Sequence, residues 1–241
     1  MTFSGRRETV IGLSTYAVYL AVRQITINGR GRRAALRNAR RVVAAERRLG
    51  IHLEPWLQNT FMPYRRVQAG VSIAYVTLNV ALTVGCLAVL FARRDPRFHP
   101  LRRAWAITTL GAQPAFLLFP TAPPRALEGF TDTIREAGFD LDTGWVVRLY
   151  NPLAAMPSIH MAYAVITSAG IAATTGSRLA AAAYPPAVAL IVLTTANHFV
   201  LDVVAGTLLG GASLVASGAA CASPRSAWRR ARRSRRGALR G

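Results

Sequence analysis

Long runs of Ala, Val, Leu and Ile, broken by blocks of Arg, leave this chain few ways to fold. An apolar run of about 20 residues matches the hydrocarbon thickness of a bilayer. Inside that layer every backbone N–H and C=O must find its partner within the segment, which a single run achieves only as a helix. Six such runs lie near Glu8–Ile27, Val67–Ala92, Ala104–Phe119, Ser158–Thr175, Leu179–Ala196 and His198–Cys221. The expected fold class is therefore all-α, a polytopic membrane helix bundle with about six transmembrane helices. Arg23 and Gln24 interrupt the first run, and Pro185-Pro186 predict a kink in the fifth.

Composition supports this reading through a conflict. Apolar residues make up 52% of the chain, yet its formal net charge is +20. A soluble globule does not reconcile these values, whereas a membrane protein does so by separating the two residue classes into blocks. All 30 basic residues are Arg, and they flank apolar runs instead of alternating with aromatics. That pattern fits anionic lipid head groups as partners and argues against nucleic acid. Cys86 and Cys221 both fall in apolar runs and read as small packing residues. The first apolar run has no small-residue cleavage site, so no cleavable signal peptide is expected.

Three regions follow: a first apolar segment with a basic flank (1–33), a membrane domain (34–221) and an Arg-rich tail (222–241). Within Gly31–Gln58, Ala34, Ala35, Val42, Val43, Leu49 and Leu53 gather on one side opposite Arg. This predicts an amphipathic helix lying in the head-group layer. Eight of the eighteen residues from Pro224 to Gly241 are Arg, which predicts a disordered cytoplasmic tail. An even number of spans then puts the N-terminus inside as well, and Thr121–Met156 on the extracytoplasmic face of a bacterial plasma membrane. The Arg-rich segment 31–58 would also lie outside, against the positive-inside tendency.

This layout brings three polar strings to one side of the membrane: Phe119–Arg125, Ala155–His160 and Asn197–Asp202. His198 and Asp202 are four residues apart, hence on one helical face. A carboxylate there can take the proton of one imidazole nitrogen and leave the other basic, as a nucleophilic or general-base histidine requires. An ionisable group such as Asp202 within a span is a functional candidate by default. Pro157-Ser158 opens a helix whose first amides can cradle phosphate, and His160 in the same turn can act as general acid. Arg125, stiffened by two preceding prolines, offers a fork of donors to phosphate oxygens. Each residue alone has a plainer reading: Ser158 as helix cap, Arg125 as head-group anchor, His52 and His99 as ordinary polar residues. Gly206, Gly210 and Gly211 suit close helix packing.

At these residues the chain resembles the type 2 phosphatidic acid phosphatase superfamily, and most closely its branch that includes inositol phosphorylceramide synthase. The strings that carry the resemblance are Glu46-Arg-Arg-Leu-Gly-Ile-His-Leu-Glu54 with Gln58, Phe119–Arg125, Gly129-Phe-Thr-Asp132-Thr133 and Asn151-Pro-Leu-Ala-Ala-Met-Pro-Ser-Ile-His160, followed by His198-x-x-x-Asp202. The resemblance implies that His198 attacks phosphorus and carries a phospho-histidine, oriented by Asp202. It implies that His160 protonates the leaving alcohol and then activates the acceptor, and that Ser158 and Arg125 bind phosphoryl oxygens. Arg148, Asn151, Asn197 and Asp132 are candidates for substrate binding. Metal and cofactor are expected to be absent, and the substrate to be a lipid phosphate or phosphodiester. Two family cations are replaced, by Leu118 and Val192, a departure common in the named branch; Arg148 is a candidate for replacement charge. The alternatives are an intramembrane serine protease using Ser158 and His198, and a non-enzymatic scaffold binding anionic lipid through the tail.

Overall fold

The computed structural model describes residues 3–138 and 150–219. Every regular element among them is helical: α1 (Gly5–Thr26), α2 (Gly29–Leu49), α3 (Glu54–Phe61), α4 (Arg65–Ala92), α5 (Phe98–Leu118), the short α6 (Thr133–Glu136), α7 (Ile159–Thr175), α8 (Arg178–Thr194) and α9 (Val200–Ala216). All six apolar runs become helices, within a few residues of the expected limits except at the ends of the third and sixth. The third begins earlier, at Phe98, and the sixth begins at Val200, after His198. Pro185 and Pro186 both lie inside α8, which continues past them to Thr194.

By length and composition, α4 can cross a membrane alone, and α1 with α2 passes the same test only as a pair bent by 93°. The helices α7, α8 and α9 are apolar but 17 residues each. Cys86 is a free thiol; Cys221 and the Arg-rich tail lie outside the described residues.

The bundle is organised around α7, which packs against α4, α5, α8 and α9. Its seam with α4 and α8 buries Tyr75, Ala164, Ile171, Tyr184 and Val192. Polar side chains inside these helices turn inward and pair with one another. Asn79 of α4 accepts from the Tyr184 hydroxyl at 2.9 Å, and Thr83 meets Thr167 at 2.8 Å. Across the other side, α1 packs on α5, with Arg102 Nε 2.9 Å from Glu8 Oε2.

The single amphipathic helix expected over Gly31–Gln58 is two helices, because the chain turns at Gly50, where φ is +68°. Ala35, Ala39 and Val42 of α2 are buried against Ala122, Leu153 and Phe199, so its apolar face covers the protein's own loops. Leu49 and Leu53, assigned to that face by spacing, are exposed. Leu53 lies beyond the turn, where the helical phase is lost, and Leu49 is the last residue of α2. Arg32, Arg33, Arg37, Arg40, Arg41, Arg47 and Arg48 form the exposed side.

Candidate active site

Three loops meet at one end of the bundle, and their backbones are tied together. The Thr121 N–H donates to the Leu153 carbonyl at 2.8 Å, and the Ala155 N–H returns a bond to the Thr121 carbonyl at 3.0 Å. The Arg125 N–H reaches the Ala196 carbonyl at 2.8 Å, and the Ser158 N–H reaches the Asp202 carbonyl at 3.1 Å. Together these bonds fix Phe119–Arg125, Asn151–Ser158 and Thr195–Asp202 relative to one another.

His198 precedes α9, so the expected pairing with Asp202 along one helical face is corrected. Phe199 caps the helix in an extended conformation, and the Asp202 carboxylate folds back to accept its N–H at 2.9 Å. The same Oδ2 lies 3.4 Å from His198 Nδ1, while the Ala155 carbonyl is nearer, at 3.0 Å. Both neighbours are acceptors, so Nδ1 carries the proton and Nε2 is left as the basic nitrogen. The turn that aims the ring includes Ala196 at φ +50°. A non-glycine residue there stores roughly 1–3 kcal/mol and persists only where its surroundings hold it. Here the Ala196 N–H is held by the Leu193 carbonyl and its own carbonyl by Arg125.

The His160 ring lies 5.6 Å from the His198 ring, centroid to centroid, and stacks on Tyr75 at 4.5 Å. Asn79 Nδ2 donates to the His160 carbonyl at 2.9 Å. Tyr75, Asn79 and Tyr184 thus seat the second histidine. Sequence reasoning passed over them, although polar residues within apolar helices were the available signal.

Arg125 is only 8% exposed and is aimed by two acceptors. Its Nε donates to Asn197 Oδ1 at 2.9 Å and its Nη1 to Asp132 Oδ2 at 2.8 Å. Asn197 and Asp132, read from sequence as substrate contacts, therefore contact this guanidinium. Asp132 also caps α6 through Oδ1. Asn151 is buried within its own loop, accepting from Leu153 and donating to Thr26. The loop is anchored to α1, where Arg23 Nε donates to the Tyr150 carbonyl at 2.8 Å. Ser158 is fully buried, and its hydroxyl caps α7 by accepting from the Met161 N–H at 3.2 Å. The cap and the helix leave the Ile159 and His160 amides as first-turn donors. Leu118 is exposed and Val192 is fully buried; Arg148 lies outside the described residues.

One further polar group lies behind α9. Ligand-type atoms of Glu46, His52 and Glu54 come within 4.8 Å of one another, and both carboxylates are completely buried. By residue type this trio could hold a cation.

The arrangement defines an all-helical protein with a paired-histidine, carboxylate and guanidinium centre at the meeting of three helix-end loops. Comparison assigns its family: a model of the PAP2 superfamily matches residues 40–216, and the chain belongs to that superfamily. Membership points to a phosphatase-type enzyme. No curated protein and no solved structure matches the chain.

Proposed function

We propose that the protein is an integral membrane phosphatase or phosphotransferase acting on a lipid phosphate or phosphodiester. Its nearest functional kin would be the branch that moves phosphoinositol head groups. The observation that carries this reading is the histidine pair: His198, with its Nδ1 proton held by Ala155 and Asp202, faces His160 across 5.6 Å. Two imidazoles this close can act on one phosphoryl group, one as the attacking base and the other as the acid at the leaving oxygen.

In the first step Nε2 of His198 bonds to phosphorus as the ester P–O bond breaks, and His160 gives its proton to the departing alkoxide. The phosphorylated imidazole is cationic, and the Asp202 carboxylate stabilises it. In the second step water or an alcohol attacks phosphorus, the N–P bond breaks, and His160 takes the acceptor's proton. Arg125 and the first-turn amides of α7 neutralise the phosphoryl oxygens throughout. The membrane part of the reading rests on the outward faces of the bundle. Val80 and Val84 of α4, Leu110 and Leu117 of α5, and Leu208 and Val215 of α9 are all exposed, and apolar surface of that extent suits lipid.

The test is purified protein in mild detergent with chelator, supplied with short-chain phosphatidic acid or a phosphodiester lipid, with and without inositol. Acid-labile phosphate trapped on a peptide containing His198 would support the covalent route. Phosphorylation of any other residue would overturn it. Arg125→Lys keeps the charge but loses the fork, and is expected to lower kcat/KM about 10- to 100-fold, the scale of one charge-assisted hydrogen bond. Unchanged kinetics would remove Arg125 from phosphate binding.

A further inference from the structure

The first three amides at the start of α9 each end on a buried carboxylate from a different place in the chain. The Phe199 N–H goes to Asp202 Oδ2 at 2.9 Å, the Val200 N–H to Glu54 Oε1 at 2.6 Å and the Leu201 N–H to Glu46 Oε1 at 2.7 Å. A helix start offers such donors and favours negative charge. One carboxylate would cap it; two additional fully buried ones are far more than stability requires.

The remaining oxygens of the two glutamates turn towards each other. Glu46 Oε2 and Glu54 Oε2 both face His52 Nδ1, at 3.4 and 3.0 Å. His52 Nδ1 is hydrogen-bonded to Glu46 Oε2, and Glu54 Oε2 is buried with no such bond, so the count closes with one proton on Glu46 Oε2 directed at Glu54 Oε2. The outer oxygens are already occupied by the two backbone amides.

We propose that Glu46 and Glu54 are positioning residues, a carboxyl pair sharing one proton that clamps the start of α9 and so holds His198 and Asp202 in register. The role in positioning rests on the reading of His198 as nucleophile; the clamp itself does not. The clamp acts one and two residues beyond Phe199, in the turn that carries Asp202, so any fraying there reaches the His198 contact at 3.4 Å directly.

The groups facing Glu46 are few. Glu54 and His52 come from α3 and the loop before it, and Asp202 comes from α9. On α2 itself Arg47 and Arg48 point outward and are exposed. Burial, and the Glu54 carboxyl beside it, push the Glu46 carboxyl upward, against the pull of the Leu201 N–H. The folded protein thus holds this proton more tightly than the unfolded chain.

The experiment uses the full chain in detergent, with Glu46→Ala, Glu46→Gln and Glu54→Gln beside the wild type. Glutamine can accept from the backbone N–H and donate to the partner carboxylate, so it imitates the protonated acid. In Glu46→Ala, exchange of the 199–202 amides should accelerate and kcat on short-chain phosphatidic acid should fall, each by about 10- to 100-fold, with KM little changed. Glu46→Gln should restore both. Equal kcat in wild type and Glu46→Ala would overturn the positioning role. Failure of Glu46→Gln to outperform Glu46→Ala would overturn the shared proton. Protection of the 199–202 amides that requires added zinc and vanishes with chelator would replace the clamp with a cation site. Wild-type silence on the lipid would count against phosphoryl transfer alone, because amide exchange still decides the clamp.

Discussion

His198→Ala is expected to lower turnover of a lipid phosphate by roughly 10,000-fold or more, because it removes the nucleophile through which both steps of the proposed route pass. His160→Ala should cost less on the same substrate, about 100- to 10,000-fold, the range for loss of one general acid. The decisive contrast comes from changing the leaving group. With para-nitrophenyl phosphate the departing phenolate needs no proton, so the first step survives without His160. The second step does not, since the same imidazole must activate water. His160→Ala should therefore give one burst of nitrophenol and accumulate phosphorylated His198, whereas His198→Ala should give no burst with either substrate. Rapid-quench kinetics read both. A His198→Ala variant with wild-type turnover, or a burst that persists without His198, would end the nucleophile assignment.

Asp202→Asn separates charge from shape at the same place. The amide oxygen can still accept the Phe199 N–H, so the cap survives, but the negative charge beside the phosphorylated imidazole is gone. The Ala155 carbonyl remains to hold the Nδ1 proton. A loss of kcat clearly smaller than for His198→Ala is the expected result.

What the sequence disclosed and what it withheld follow from the range of the interactions. Apolar period and length gave the helices, because each is a local property of roughly 20 residues. Tight spacing brought Ser158, His160, His198 and Asp202 under notice for the same reason. The geometry inside those strings was out of reach. Whether His198 lies in α9 or ahead of it depends on Phe199 becoming the cap, and that depends on contacts from α2 and α3, some 150 residues earlier. Asn197 and Asp132 carry polar side chains beside a phosphate motif, which invites a substrate role. Only the fold shows that the Arg125 guanidinium lies between them. His52 was read as an ordinary polar residue because nothing local distinguishes it from one; its two carboxylate neighbours are what do.

The three glycines of α9 show how far a shared sequence argument can diverge in space. All were assigned to close packing, yet only two are packed. A Cβ on Gly206 would stand 2.3 Å from the Ser158 carbonyl oxygen, and one on Gly210 would stand 2.6 Å from that of Ala162. These are backbone atoms of α7, so no side chain can swing away, and the helices themselves must part. Around Gly211 nothing lies within 4 Å. Gly206→Ala is accordingly expected to lose about 1–3 kcal/mol of stability or more. Its activity should fall out of proportion to that loss, since the displaced carbonyl belongs to the residue that caps α7 two positions before His160. Gly211→Ala, the same chemical change five residues on, removes a glycine from an open helix position and should be neutral or stabilising by about 0.5–1 kcal/mol. Melting temperature and turnover measured on the two variants side by side check this. Equal effects would mean that α7 and α9 are not in the close contact on which the separation of His160 from His198 depends.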